Sequence, residues 1–181
     1  MRPEPVDALR MAIERYLGAY GPASVADIGR WIGQPRLPRV REAIDALGER
    51  ICRFRGMDDR DLVDLVDAPL ADGDEPAPGR FLARWDSVII GYEGRDRILP
   101  VSLAPTVIKR KNGDFLPSFT VDGLVAGTWS VTSGSGTTTL EIRPAGPVPA
   151  ATRNQLSEEA DGLVRFIARD AGRIEVRWAK Y

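Results

Sequence analysis

Glycine and proline divide the first 65 residues into three helical segments and a hairpin. Ala8–Tyr20 places Leu9, Ile13, Tyr16 and Leu17 at helical spacing and stops at Gly21-Pro22. Ser24-Val-Ala-Asp27 matches a capping pattern, with Asp in place of the usual Glu, ahead of Ile28, Trp31 and Ile32. Gly33 closes that short helix, and Pro38 suits the first turn of a third, whose apolar stripe is Val40, Ile44 and Leu47. Ile51–Phe54 and Leu62–Leu65 read as two strands around the polar tip Gly56-Met-Asp-Asp59. Helix, short helix, helix and hairpin is the order of a winged helix, a helix-turn-helix with an appended β-wing.

Charge marks where this unit ends. Residues 1–56 carry 10 basic and 7 acidic side chains, whereas residues 57–79 carry 1 and 8. Asp72-Gly-Asp-Glu-Pro-Ala-Pro-Gly79 is rich in turn formers and poor in apolar residues, as a linker is. The expected organisation is a winged-helix domain at 1–68, an acidic Pro/Gly linker at 69–79 and a second domain at 80–181.

The second domain is mostly β. Ser87–Tyr92 is an apolar run suited to a buried strand, and Thr106–Lys111 and Phe115–Val121 flank the hairpin signal Asn112-Gly113. Pro117 inside a strand argues for an edge or a bulge. Asp122-Gly123 turns the chain into Leu124–Val131, and Thr137–Arg143 follows with Leu140 and Ile142 inward, Ser133–Gly136 forming the loop between them. Ala150–Ala171 carries Leu156, Ala160, Leu163, Val164 and Ile167 at helical spacing, and Arg173–Trp178 alternates as a last strand. The fold class is α+β: a winged helix-turn-helix, then an antiparallel sheet or partial barrel closed by one long helix.

Composition excludes much chemistry. The 181 residues contain no histidine and only one cysteine, Cys52, which removes Ser-His and Cys-His nucleophiles, histidine zinc sites, zinc knuckles and an intrachain disulfide. Cys52, in Arg50-Ile-Cys-Arg-Phe54, reads as a small core hydrophobe. Asp58-Asp59-Arg60-Asp61 lacks the glycine and terminal glutamate of a calcium loop, and Ser133-Gly-Ser-Gly136 lacks the Lys-Thr ending of a phosphate loop. Glu158, Glu159 and Asp161 read as a solvated helix face. No metal site, cofactor or catalytic residue is assigned. The start has no signal-peptide h-region and no apolar run long enough to span a bilayer, so the expectation is a cytoplasmic protein without a membrane partner. Trp31, Trp85, Trp129 and Trp178 read as core anchors.

Net charge is −1, so nucleic-acid binding would have to be local. Residues 30–56 hold seven arginines against Glu42, Asp45 and Glu49. Arg36, Arg39 and Arg41 fall at the start of the third helix, and Arg53 and Arg55 fall on the wing. A guanidinium fork can pair with guanine O6 and N7 or straddle phosphate oxygens. Surface arginine is also this chain's habit, since 22 of its 25 basic residues are arginine, and a protein-binding face would look alike. Lys109-Arg-Lys111 is a second cluster, with side chains 109 and 111 expected on one strand face; a solubilising hairpin edge reads the same way.

Several runs resemble the AlkZ-like family of bacterial winged-helix DNA glycosylases. They are Tyr16-Leu-Gly-Ala-Tyr-Gly-Pro-Ala-Ser-Val-Ala-Asp-Ile-Gly-Arg-Trp-Ile-Gly33, Val66-Asp-Ala-Pro-Leu70, Pro78-Gly-Arg-Phe-Leu-Ala-Arg-Trp-Asp86, Gly91-Tyr-Glu-Gly-Arg-Asp-Arg-Ile-Leu-Pro100 and Lys111-Asn-Gly113. The most specific is Val121-Asp-Gly-Leu-Val-Ala-Gly-Thr-Trp129, and together they cover most of the chain in the family's order. The resemblance implies tandem winged helices with a β-rich domain around a cationic cleft, and excision of alkylated or crosslinked bases without metal or organic cofactor. It also implies that a hairpin of the barrel approaches DNA, which bears on Lys109 and Lys111. The family's Gln-x-Gln or Gln-x-Asp motif lies upstream of the matched segments; the two glutamines here, Gln34 and Gln155, sit in no such motif, and Gly94-Arg95 replaces the family's Asp-Arg pair. The expectation is a chain resembling the C-terminal portion of such an enzyme, binding double-stranded DNA and catalytically silent alone. The competing expectations are a glycosylase active by itself or completed by a second chain, and a protein-interaction scaffold.

Overall fold

The punctuation read from the sequence sets the helix boundaries in the computed structural model, which describes residues 5–56, 59–109, 111–134, 136–170 and 172–181. Of the residues singled out above, Met57, Asp58, Arg110, Ser135 and Ala171 lie outside the described ones. One unit comprises the described residues through Gly73 together with Ile90–Gly94; the other comprises Asp74–Ile89 and Arg95–Tyr181.

In the first unit, α1 (Pro5–Tyr20) buries Ile13, Tyr16 and Leu17, α2 (Val25–Trp31) buries Ile28, and α3 (Leu37–Asp45) buries Val40, Ala43 and Ile44. These faces meet Leu47 and Val63 in one core. A hairpin follows: β1 (Ile51–Arg55) runs antiparallel to β2 (Asp61–Leu65), with Ile51 opposite Leu65 and Arg55 opposite Asp61. Reciprocal backbone bonds between Ala23 and Val63, of 3.0 and 2.8 Å, tie the turn after α1 to the outer edge of β2.

The capping pattern has a second use. The Ser24 hydroxyl accepts from the Asp27 N–H at 3.2 Å, while Asp27 Oδ2 accepts from the Ser24 N–H at 3.0 Å and its hydroxyl at 2.7 Å. The other oxygen, Oδ1, accepts from the backbone N–H groups of Glu93, at 2.7 Å, and Gly94, at 3.4 Å. Two tyrosines hold the same segment: the Tyr16 hydroxyl donates to the Gly91 carbonyl at 2.9 Å and the Tyr92 hydroxyl to the Tyr20 carbonyl at 3.0 Å. Residues 90–94 are thus bonded into the first unit although they come from far along the chain.

A second buried acid, Asp64, is 2% exposed. One of its oxygens accepts from the Leu65 N–H at 2.8 Å, and a Cβ on Gly21 would overlap its carboxylate, so this close approach requires glycine. Burial pushes the Asp64 carboxyl above its ordinary value, an effect the Leu65 N–H partly offsets.

The second unit is built on a five-stranded sheet in the order β3 (Phe81–Leu82), β6 (Ser118–Val121), β7 (Leu124–Gly134), β8 (Thr137–Pro144) and β9 (Arg173–Trp178). The first four pair antiparallel, but β9 runs parallel to β8, which corrects the expected antiparallel sheet. The reason is the intervening helix, α6 (Ala150–Ile167): a strand–helix–strand path returns the chain in its starting direction. Leu156, Ala160 and Val164 of α6 pack with Phe119, Trp129, Leu140 and Ile142 of the sheet. Asp122 and Gly123 both have positive φ, as a two-residue hairpin turn between paired Val121 and Leu124 requires. The register shifts between Phe119 and Thr120, leaving Ala126 as an extra residue in β7.

Four other expectations change. Ser87–Tyr92 is not a strand: α4 occupies Ser87–Ile90, started by Asp86, whose carboxylate accepts from the Val88 N–H at 3.0 Å. The apolar run alone does not separate a buried strand from a buried helical turn. Thr106–Lys111 contributes only β4 (Ile108–Lys109), because α5 (Ala104–Val107) takes its first half. Phe115–Val121 is two pieces: β5 (Asp114–Phe115) pairs with β4, and Pro117 separates it from β6. Trp129 and Trp178 pack in the core, but Trp31 and Trp85 are exposed, contrary to their reading as anchors. Among the described residues, no helix is long and apolar enough to cross a membrane, and no group of His, Cys, Asp and Glu is placed to hold a metal ion.

Replacing Asp27 by Ala removes the α2 cap and leaves the partly buried Glu93 and Gly94 N–H groups without this acceptor, so a loss of about 2 kcal/mol is expected in urea unfolding; Asp27→Asn, which keeps Oδ1 as an acceptor, loses less. At Asp64 the folded pKa is raised, so the associated stability is present below the ordinary value of 3.8 and is lost as pH rises through the folded-state value. Asp64→Asn is therefore expected to gain on the parent chain in urea midpoint from acid to neutral pH.

Candidate nucleic-acid interface

Pro38 in its first turn starts α3, and Arg36 is the residue that caps it rather than part of the helix. The turn before it is held by Gln34, whose side-chain oxygen accepts from the Arg36 N–H at 3.1 Å. Arg36, Arg39 and Arg41 are all exposed, and none forms an ion pair with a carboxylate among the described residues.

They do not share one face. Arg39 and Arg41 lie about 200° apart around the helix axis. Arg39 lines a groove of about 700 Å³ between α1 and α3, with Leu9, Ile32 and Glu42. Arg41 lines a separate concavity of about 400 Å³ between α3, the start of α2 and the hairpin, with Ser24, Asp45, Arg53, Arg60 and Asp61. Three guanidinium groups and two carboxylates leave that concavity one positive charge in excess. Arg60 was not among the residues expected from the sequence; its place beside Asp61, across the hairpin from Arg55, is the signal that could have marked it.

The hairpin arginines are already engaged. Arg53 pairs with Asp45 at 2.7 Å. Arg55 reaches Asp61 at 3.1 Å and Asp59 at 3.5 Å, and donates to the Asp59 carbonyl at 3.0 Å. All five side chains are more than half exposed, where such pairs contribute about 0–1 kcal/mol and can exchange for a phosphate. Cys52, just before Arg53 on β1, is half-buried, with its thiol 3.5 Å from the Asp64 and Leu65 carbonyls.

In the second unit, Lys109 is exposed on β4 directly opposite Asp114. Lys111 is not on the strand: it lies in the turn that follows, so the expected alternation of 109 and 111 does not hold. Asp114 is 8% exposed and belongs to Arg84, which grips it through Nε at 2.8 Å and Nη2 at 2.6 Å. The Arg84 guanidinium holds the Asp114 carboxyl below the usual carboxylate range, with Lys109 adding to the effect. With Arg84 satisfying Asp114, the Lys109 charge is left in excess at this edge.

The chain is also similar to known proteins. The family model described as DNA glycosylase AlkZ-like matches residues 2–166, so the chain belongs to the AlkZ-like DNA glycosylase family. An interstrand DNA cross-link repair glycosylase of Streptomyces sahachiroi is 26% identical over 132 residues, covering 71% of this chain and 36% of that protein. The solved structure of the Streptomyces sahachiroi DNA glycosylase AlkZ superposes with a TM-score of 0.78 at 24% identity, over 99% of this chain and 47% of that one. The chain therefore spans less than half the length of either relative.

Arg84→Gln is expected to lower the melting temperature at neutral pH and to flatten its fall in acid. The folded Asp114 pKa is depressed, so its contribution is present above the ordinary value and lost as pH falls through the folded one. A pH series of thermal melts checks this.

Proposed function

We propose that this chain is a DNA-binding part of an AlkZ-like glycosylase, in which α1–α3 and the β1–β2 hairpin act as a winged helix. The observation that carries this reading is the meeting of Arg41, Arg53 and Arg60 in one concavity between α3 and the hairpin. A duplex laid along that side would meet helix and wing cations together, and the Asp45 and Asp61 carboxylates would be the groups a phosphate displaces. Arg39 lies on the other side of α3, facing the groove beside α1, so it and Arg36 would offer a second, separate cationic surface. Lys109 and Lys111 give the second unit a smaller basic edge suited to backbone contact.

Base excision asks for more than a cationic surface: the base must leave the stack, and a group must act on the water or the departing base. Neither glutamine is placed for that in our reading. Gln34 braces the turn before α3 through its bond from Arg36, and Gln155 lies on α6. The chain alone is accordingly proposed to bind DNA without releasing bases, the chemistry residing in sequence that the relatives have and this chain does not match. Release of a methylated base from duplex DNA by this chain alone would overturn that part of the proposal.

Binding is tested by the dependence of affinity on salt. Each phosphate contact contributes about 0.9 to the slope of log K against log salt, so Arg41→Ala with Arg53→Ala should flatten it by about 1.8. Arg36→Ala with Arg39→Ala should also weaken binding. Asp45→Asn should tighten it, because it releases Arg53 and removes a negative charge. Unchanged affinity at low salt in both double variants would remove the hypothesis.

A further inference from the structure

Trp85 has a positive φ of 60°, a left-handed conformation that a bulky residue adopts only under constraint. The constraint is visible on every side. Arg84 is locked to buried Asp114 by two bonds, and Asp86 accepts from the Ala83 N–H at 3.1 Å and the Val88 N–H at 3.0 Å. The Trp85 N–H itself points to the Phe115 carbonyl at 3.4 Å. So much local bonding serves a side chain that is 48% exposed, whereas Trp129, at 8%, is buried with its indole N–H on the Leu82 carbonyl. Among the described residues, no acceptor meets the Trp85 indole N–H.

The ring rests on Phe115, with centroids 5.0 Å apart, and the Arg95 guanidinium lies 5.3 Å from the Phe115 ring. The result is an aromatic plate of Trp85 on Phe115, with Arg84 next to Trp85 in sequence and Lys109 across the β4–β5 ladder from Asp114, the neighbour of Phe115. An exposed aromatic face beside cations suits a nucleobase with its own phosphate: the base stacks and the phosphate meets the charge. A fully paired duplex offers such a plate no free base face except at its ends.

We infer that Trp85 is a stacking platform for an unpaired base of the bound DNA, with Lys109 holding the adjoining phosphate; this rests on the DNA-binding reading above. The strain has a purpose in this arrangement. It holds the indole outward, where relaxed backbone would let the ring fold onto the sheet.

The test compares binding of the full chain to two labelled duplexes of one length, fully paired and carrying a single unpaired base. The parent should prefer the second. Trp85→Phe should retain the preference, and Trp85→Gly, which also relieves the left-handed strain, should reduce it about tenfold with little change on paired duplex. Thermal melting should show Trp85→Gly folded, and Trp85→Asn, which tolerates the same backbone, replaces it should it unfold. Paired-duplex binding with no preference in the parent, or with a preference untouched by loss of the ring, would overturn this inference alone. Failure of the parent to bind either duplex would overturn the DNA-binding reading and this inference with it.

Discussion

The first unit depends on how one buried carboxylate is satisfied. Asp27 is 4% exposed, and its two oxygens accept from the N–H groups of Ser24, Glu93 and Gly94 and from the Ser24 hydroxyl. An isolated buried charge would cost far more than this unit could offset. Charge-assisted bonds from fixed backbone donors supply the compensation, and they do so without the rotamer entropy that a lysine or arginine partner would lose. The same contacts set the start of α2, and through the short turn held by Gln34 they set where α3 begins. The cationic residues at the start of α3 therefore inherit their position from an interaction on the opposite side of a two-helix segment.

What the sequence discloses depends on how local the determinant is. The three helices and the hairpin were legible because apolar spacing and Gly/Pro breaks agree there, and agreement between levels is what makes a segment foldable on one plan. Asp27 was legible as a cap, but its second role was not: nothing near Ser24 announces that Glu93 and Gly94 will donate to it. Val88-Ile-Ile90 failed for a related reason. A short apolar run fits a strand or a helical turn, and Asp86, accepting from Val88, decides for the turn. The direction of β9 was recoverable in principle. An alternating segment says strand and not direction, yet an 18-residue helix between two strands is the usual path to a parallel neighbour.

The candidate interface was legible in its composition and not in its geometry. Seven arginines in a short stretch gave a correct list of exposed cations, and helical angle alone could have separated Arg39 from Arg41. Pairing was harder to foresee, because the partners are cross-strand or helix-to-strand: Arg55 with Asp61, Arg53 with Asp45. These pairs change what the surface can do. A guanidinium held by an exposed carboxylate is positioned before a ligand arrives, and a phosphate then replaces the carboxylate with little new ordering of the side chain. On the DNA-binding reading proposed above, such a surface would favour a polyanion that offers several phosphates together over any single small anion.

The second unit distributes its stability differently. Its core is ordinary: α6 closes an apolar sheet face, and Trp129 and Trp178 bury their rings with their N–H groups on the Leu82 carbonyl and the Ser157 hydroxyl. The costly arrangement is at the edge, where the Arg84–Asp114 bidentate pair and the Asp86 cap surround a tryptophan in left-handed backbone. Strain of about 1–3 kcal/mol at such a residue persists only when its neighbours over-determine it. If the site served packing alone, a glycine or asparagine at position 85 would satisfy the backbone and leave the pair and cap unchanged. On the inference drawn above, the exposed ring, whose N–H meets no acceptor among the described residues, would be met by a flat partner with an adjoining negative charge.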